Sequence, residues 1–244
     1  IAVEPPEGFD DSLYPLLGYQ AGLMAGKEIP VLAGLEQAAP MPDDLRAFGA
    51  AFATTSAAPM FHVAGVTPEA RGTADILAGD RAIAYRRLTR ADLSDAWAAL
   101  NPAATAEIEL VALGNPHFST REIQTLAELC GGRTKHAGVD LVVTTGRYVL
   151  EDPAIATAVA SLRAFGARFV VDTCWCMLQE PVIAPHVKTI MTNSGKYAHY
   201  APGLLGRQTR FGSLRDCVSA ACTGSAPDGM PAWLKSGNAE SASA

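Results

Sequence analysis

The chain has 244 residues, 49% hydrophobic and only 18% charged, a composition that buries a sizeable core and excludes a disordered polar chain. Its formal charge of −6, from 19 basic and 25 acidic residues without a Lys/Arg cluster, removes the basic footprint that a nucleic-acid partner demands. The opening Ile1-Ala2-Val3-Glu4-Pro5-Pro6 has no basic stretch, no apolar run and no start methionine, so no export signal is read and the chain is expected to begin mid-protein. The longest uncharged run, Ala47 to Pro68, contains Thr54, Thr55, Ser56, Pro59 and His62 and suits a helix and strand joined by a turn better than a membrane span.

Taken in order, Ile29–Ala33 reads as a strand and Pro42–Thr55 as a helix with Leu45, Phe48 and Phe52 on one face. Met60–Ala64 and Ala82–Leu88 read as strands. Arg90–Leu100 is helical, with Thr89 and Asp92 at the spacing of a capping pair. Asn101-Pro102 breaks that helix, and a domain boundary is expected between Leu100 and Ala106. Glu107–Leu113 is the next strand. Ser119 and Glu122 then form a predicted capping box, Phe118 and Ile123 sit at staple positions, and Gly131-Gly132 ends the helix.

Strands follow at Val139–Thr144, Arg168–Thr173, Val187–Met191 and Gln208–Phe211, and helices at Pro153–Phe165 and Lys196–Leu205. A last helix opens at Ser213, paired with Asp216, and ends at Gly224. Residues 225–244 are rich in Ser, Ala, Gly and Pro and read as a flexible tail. The alternation predicts α/β architecture, with mostly parallel sheets and helices on both faces.

In such folds ligands bind beyond the carboxyl ends of the strands. Three strand ends carry chemistry: Gly114-Asn-Pro-His-Phe-Ser119, Asp172-Thr-Cys-Trp-Cys176 and Thr192-Asn-Ser-Gly-Lys196. A fourth, Gly65-Val-Thr-Pro-Glu-Ala70, follows the strand at Met60. Cys174 and Cys176 are either metal ligands, thiolates being the usual partners of iron–sulfur clusters, or buried core thiols. Ser194 and Lys196 either hold a substrate carboxylate at a helix N-terminus or serve as a cap and a solvated cation. Asn115 is a turn residue or a substrate contact, and His117 a structural contact or a general acid/base. Cys130 and Cys217 fall on helix faces that read as core. His62, between Phe61 and Val63, reads as a core histidine, and Glu69 as a first-turn helix residue. Five cysteines without a disulfide spacing predict the reducing cytoplasm.

The same segments, in this order, resemble aconitase X, a branch of the aconitase superfamily. The likeness is carried by Phe61-His-Val-Ala-Gly-Val-Thr-Pro-Glu-Ala70, Leu113-Gly-Asn-Pro-His117, Asp172-Thr-Cys174, Thr192-Asn-Ser194 with Lys196, His199-Tyr-Ala-Pro202, and Phe211-Gly-Ser-Leu214 with Cys217. It runs from about Tyr19 to Gly224 and covers only the C-terminal part of the family's large subunit or region. The resemblance implies a three-layer α/β/α fold, in which 1–104 completes a domain begun in a missing N-terminal part and 105–224 forms a domain with the iron-site loop.

It further implies iron, as an ion or an iron–sulfur cluster, held by Cys174, with Cys176 added for its proximity. Some relatives carry cysteine where Asn115 stands, so iron ligation differs here or Asn115 faces substrate. The implied activity is a hydro-lyase acting on cis-3-hydroxy-L-proline to give pyrroline-2-carboxylate, or alternatively a phosphomevalonate dehydratase. Asn115, His117, Ser194 and Lys196 would contact substrate, and the catalytic base would lie outside this chain, as would a small swivelling domain or subunit. Two other readings compete: a non-catalytic fragment or assembly subunit that needs a partner chain, and a different α/β enzyme with Cys174 as nucleophile.

Overall fold

The computed structural model describes residues 1–73 and 84–235. The described part of the first half is built on α1 (Leu13–Ala25), α2 (Pro42–Thr55) and α3 (Arg90–Leu100). They pack against two short parallel pairs, β1 (Ala2–Val3) with β4 (Arg87–Leu88) and β2 (Val31–Leu32) with β3 (His62–Val63), which an Ala2–Ala33 bridge connects. Sequence reading finds α2 and α3 at their observed bounds and places β2, β3 and β4 but not β1, although Ala82 and Ile83 of the strand expected at Ala82–Leu88 lie outside the described residues. It misses α1. That helix buries Leu13, Tyr14, Leu16, Leu17, Tyr19 and Ala21, so it is apolar around most of its circumference and has no amphipathic stripe to detect. Gly18 and Gly22 let it lie against α2, since a Cβ on Gly18 would sit 2.1 Å from the Phe48 carbonyl oxygen.

The second half is a five-stranded, wholly parallel sheet of β5 (Leu110–Phe118), β6 (Asp140–Thr145), β7 (Ala167–Val171), β8 (Thr189–Thr192) and β9 (Gln208–Phe211). Its order is β7-β6-β5-β8-β9, with β5 central. Central strands buried on both faces read as unbroken apolar runs, and β5 shows the consequence. Val111 and Leu113 enter one core with α4 (Thr120–Cys130), α6 (Ala156–Phe165) and α8 (Leu214–Thr223). Leu110 and Ala112 enter the opposite core with Trp175, Tyr197 and Ala201 of the face covered by α7 (Gly195–Leu205). The expected α/β class with helices on both faces is the observed one. Between α4 and α6 lies a short helix, α5 (Arg147–Leu150).

The capping boxes stand as read. Thr89 with Asp92, Ser119 with Glu122, and Ser213 with Asp216 each satisfy the free amides of a first turn in both directions. Cys130 and Cys217 are buried, as expected.

Three expectations are corrected. Residues 225–235 are packed rather than loose: Ala226 donates to the Ala106 carbonyl at 2.7 Å, and Trp233 and Leu234 of α9 (Ala232–Lys235) are buried in the first-half core. The rest of that segment lies outside the described residues. His62 is not a core histidine, because its imidazole meets the Glu69 carboxylate at 2.7 Å. Glu69 in turn lies in a turn closed by the Gly65 amide on the Ala70 carbonyl, not in a helix. Among the described residues no helix is long and apolar enough to cross a membrane.

Candidate active site

The carboxyl ends of β5, β7 and β8 converge, and the candidate residues sit there. Midway along β5, where its pairing with β6 shifts register between Leu113 and Phe118, the chain turns through Gly114, whose φ of +92° is in the left-handed region. A Cβ there would lie 2.0 Å from the Thr144 carbonyl oxygen, so no other residue fits. The Thr144 hydroxyl fastens the turn by donating to the Gly114 carbonyl at 2.5 Å. Next comes Asn115, 4% exposed and joined to Pro116 by a cis peptide.

Beyond β7, Asp172 has a φ of +57° and its carboxylate accepts from the backbone and the guanidinium of Arg147, at 2.8 and 3.0 Å. The chain then passes through Cys174 into one turn of 3-10 helix, Trp175–Met177. Trp175 is the anchor of this loop. It is 1% exposed, its indole N–H donates to the Leu113 carbonyl at 2.7 Å, and its ring lies 5.0 Å from that of Tyr197. With the indole fixed, the flanking cysteines stay half-buried and both reach Asn115. The Cys174 thiol meets Asn115 Oδ1 and the Asn115 amide N–H meets Cys176 Sγ, each at 3.9 Å.

After β8, the Ser194 hydroxyl caps α7 by accepting from the Tyr197 amide at 3.1 Å and donates its proton to the Asn115 backbone carbonyl. Lys196, one residue into the helix, brings its ammonium to 3.9 Å from Cys174 Sγ. Gly195 allows this placement by packing against Pro15 and Ala51 of the first half, where a Cβ would meet carbon atoms at 3.1 and 3.2 Å.

Of the residues expected at the site, Asn115, Cys174, Cys176 and Lys196 share one cluster. Ser194 touches it through the backbone of Asn115, and its hydroxyl is already committed as donor and acceptor. His117 stands beside it, with Nε2 2.9 Å from the Thr173 carbonyl, so only Nδ1 is left for another contact. Sequence reading misses Tyr197, Trp175 and Arg46. Arg46 of α2 donates to the His117 carbonyl at 2.8 Å and pairs with Asp43 and Glu122, both at 2.7 Å. Asp43 also accepts from Ser119 and Arg121. No local pattern signals an arginine acting on a loop seventy-odd positions later, whereas Tyr197 could have been found as the neighbour of Lys196 in a noted motif.

The electrostatics follow from burial. Desolvation pushes the Cys176 thiol up, the adjacent Cys174 adds to this, and Lys196 opposes it. Burial also raises the Tyr197 phenol, with Cys176 and then Cys174 contributing. The Tyr197 hydroxyl is buried without a hydrogen-bond partner among the described residues. A cleft of about 330 Å³ is lined by residues that include Asp11, Asp43, Arg121, Asn193 and Arg215, and neither cysteine lines it.

Two sulfurs and an amide oxygen at one junction are donors of the kind that hold iron. Their number is short of a full ligand set, because no group of three His, Cys, Asp or Glu placed to hold a metal occurs among the described residues. The residues fit a metal in donor type but do not by themselves make a complete site.

Comparison with known proteins places these features. A family model described as the aconitase X second domain matches residues 1–98, and one described as the aconitase X third domain matches residues 108–223. The chain is 53% identical over 234 residues to the cis-3-hydroxy-L-proline dehydratase of Pseudomonas aeruginosa, covering 96% of this chain and 40% of that protein. It is 50% identical over 230 residues to the enzyme of the same name from Hypocrea jecorina, covering 93% and 38%. Identity to the phosphomevalonate dehydratase large subunit of Methanosarcina mazei is 31% over 214 residues, or 88% of this chain and 50% of that one. The crystal structure of holo-form aconitase X from Thermococcus kodakaraensis superposes with a TM-score of 0.76 at 23% identity, over 90% of this chain and 54% of that one. The chain thus spans about 40% of the length of the dehydratases it resembles most among these.

Proposed function

Because the chain belongs to the aconitase X family, we propose that it builds one side of the active site of an iron-dependent hydro-lyase that dehydrates cis-3-hydroxy-L-proline. The observation that carries this is the cluster itself: an Asn115 side chain between two thiols, with the Lys196 ammonium alongside. The substrate follows from the relatives, since identity to the hydroxyproline dehydratases is 50–53% and to the phosphomevalonate large subunit 31%. A single lysine at the cluster also suits one carboxylate better than a carboxylate plus a phosphate.

In this reading Cys174 and Cys176 hold the iron, as an ion or within an iron–sulfur cluster, and the remaining ligands come from outside the described residues. When bound, the iron supplies Lewis-acid assistance to the departing 3-hydroxyl. Lys196 pairs with the substrate carboxylate and the Asn115 amide orients the ring. Ser194 contributes to substrate binding by fixing Asn115, and His117 contributes through Nδ1. The C3–O bond breaks with loss of water, and a base outside this chain takes the proton from C2. The resulting enamine tautomerises to pyrroline-2-carboxylate. Further parts, an N-terminal region and a small swivelling domain or subunit, complete the site. Five unpaired cysteines support a cytoplasmic setting.

The test is an anaerobic assay of the full-length protein on cis-3-hydroxy-L-proline and on phosphomevalonate, with iron quantified in the same samples. Expected are dehydration of the former, bound iron, and loss of both in Cys174→Ala. Iron and activity both surviving that substitution would overturn the iron role. Turnover of phosphomevalonate alone would assign the other substrate, and no turnover of either would favour a non-catalytic assembly role.

A further inference from the structure

A buried hydroxyl without a partner forfeits hydration and gains nothing in return, so native proteins rarely keep one unless something arrives to use it. Tyr197 presents this situation beside the cysteines. Its side chain is fully buried and its hydroxyl meets no hydrogen-bond partner among the described residues. Three constraints hold the phenol in place. The backbone amide of Tyr197 is fixed by Ser194 at the cap of α7. Its ring is packed on Trp175, the residue between the two cysteines. Trp175 is itself tied to the Leu113 carbonyl on the central strand. The thiols are near enough to bear on the phenol's ionisation, yet neither accepts a hydrogen bond from it. A neutral thiol is a weak acceptor, whereas a thiolate, or a sulfide bound with a metal, is a strong one.

We infer that Tyr197 is a positioning residue for the iron site, its phenolic O–H donating to an anionic sulfur acceptor that exists there only when the metal is bound. This inference rests on the proposed iron at Cys174 and Cys176. Sulfur ligands held by outer hydrogen bonds are stabilised in their ionised form, and losing such a partner typically weakens metal binding by ~10–100-fold. The sulfur is either that of a cysteine or an inorganic sulfide.

The experiment is Tyr197→Phe in the full-length protein purified anaerobically, with three measurements. Iron release to a chelator should accelerate ~10-fold or more, and the sulfur-to-iron charge-transfer absorption should shift. Thermal stability of the iron-free protein should be unchanged or improved, because the substitution deletes an unpaired polar atom while keeping the ring. Acid-labile sulfide analysis narrows the acceptor: its absence leaves a cysteine sulfur, and its presence admits a bridging sulfide as well. A wild-type protein that holds no iron overturns the proposed function together with this inference. Bound iron in the wild type, with unaltered release and absorption in Tyr197→Phe, overturns this inference alone. So does a destabilised iron-free variant with unaltered release, which would make Tyr197 purely a packing residue.

Discussion

Trp175→Phe separates the anchoring of the cysteine loop from its chemistry. The indole N–H reaches the Leu113 carbonyl at 2.7 Å in a part of the structure where the residue is 1% exposed. Phenylalanine cannot make that bond, and deleting one partner of a buried hydrogen bond costs about 1–2 kcal/mol. The smaller ring also leaves space between the sheet and α7, worth about 1–2 kcal/mol more in lost packing. The sum, about 2–4 kcal/mol, is a large fraction of the ~5–15 kcal/mol that holds a typical domain. Urea unfolding of the full-length protein should show the midpoint falling while the denaturant slope holds, the signature of lost stability rather than altered compactness. Alkylation of Cys174 and Cys176 in the metal-free protein should accelerate as the loop loosens. A midpoint change equivalent to less than ~0.5 kcal/mol, the scale of a surface substitution, with unchanged alkylation would refute the claim that the indole holds this loop.

Gly18→Ala should destabilise by about 1–3 kcal/mol, because its methyl would meet the Phe48 carbonyl oxygen at 2.1 Å and force α1 from α2; a thermal melt unchanged from wild type would count against that close approach. Asp43 gives a pH signature. Burial works to raise its carboxyl, but hydrogen bonds from Arg121, Ser119 and Arg46 prevail and hold it below the ordinary Asp value of 3.8. A depressed carboxyl stabilises the fold fully well above that value, and the contribution fades as pH falls through the lower folded value. The stability gap between wild type and Asp43→Asn should therefore be flat from neutrality to about pH 5 and shrink below ~4. Denaturant melts across that range check it, and a gap that widens on acidification would reverse the sign of the argument.

Much of the second half is legible from local chemistry. Ser119 with Glu122 and Ser213 with Asp216 announce helix starts because capping is decided within four residues, and the apolar run of β5 announces a strand buried on both faces. What stays hidden depends on strand order. Nothing local says that β5 lies between β6 and β8, and that order is what brings Asn115 to Lys196 and to the cysteines. The resemblance points to segments that the fold brings together, whereas their geometry separates Lys196 and Asn115, which face the thiols, from Ser194, whose hydroxyl is spent on the backbone. α1 escapes notice for the opposite reason, since burial on nearly every side leaves no period to read. Trp233 and Leu234 were masked by the small polar residues around them. His62 looked like core from its neighbours, but Glu69 lies seven residues on and pairs with it across a turn.

Arg46 adds a mechanical consequence. Its guanidinium grips the His117 carbonyl while pairing with Asp43 on its own helix and Glu122 on the far side. Any hinging of the helical half against the large sheet would pull on the His117 peptide, two residues beyond Asn115. One arginine thus ties the register of the site loop to the packing of α2 against the large sheet.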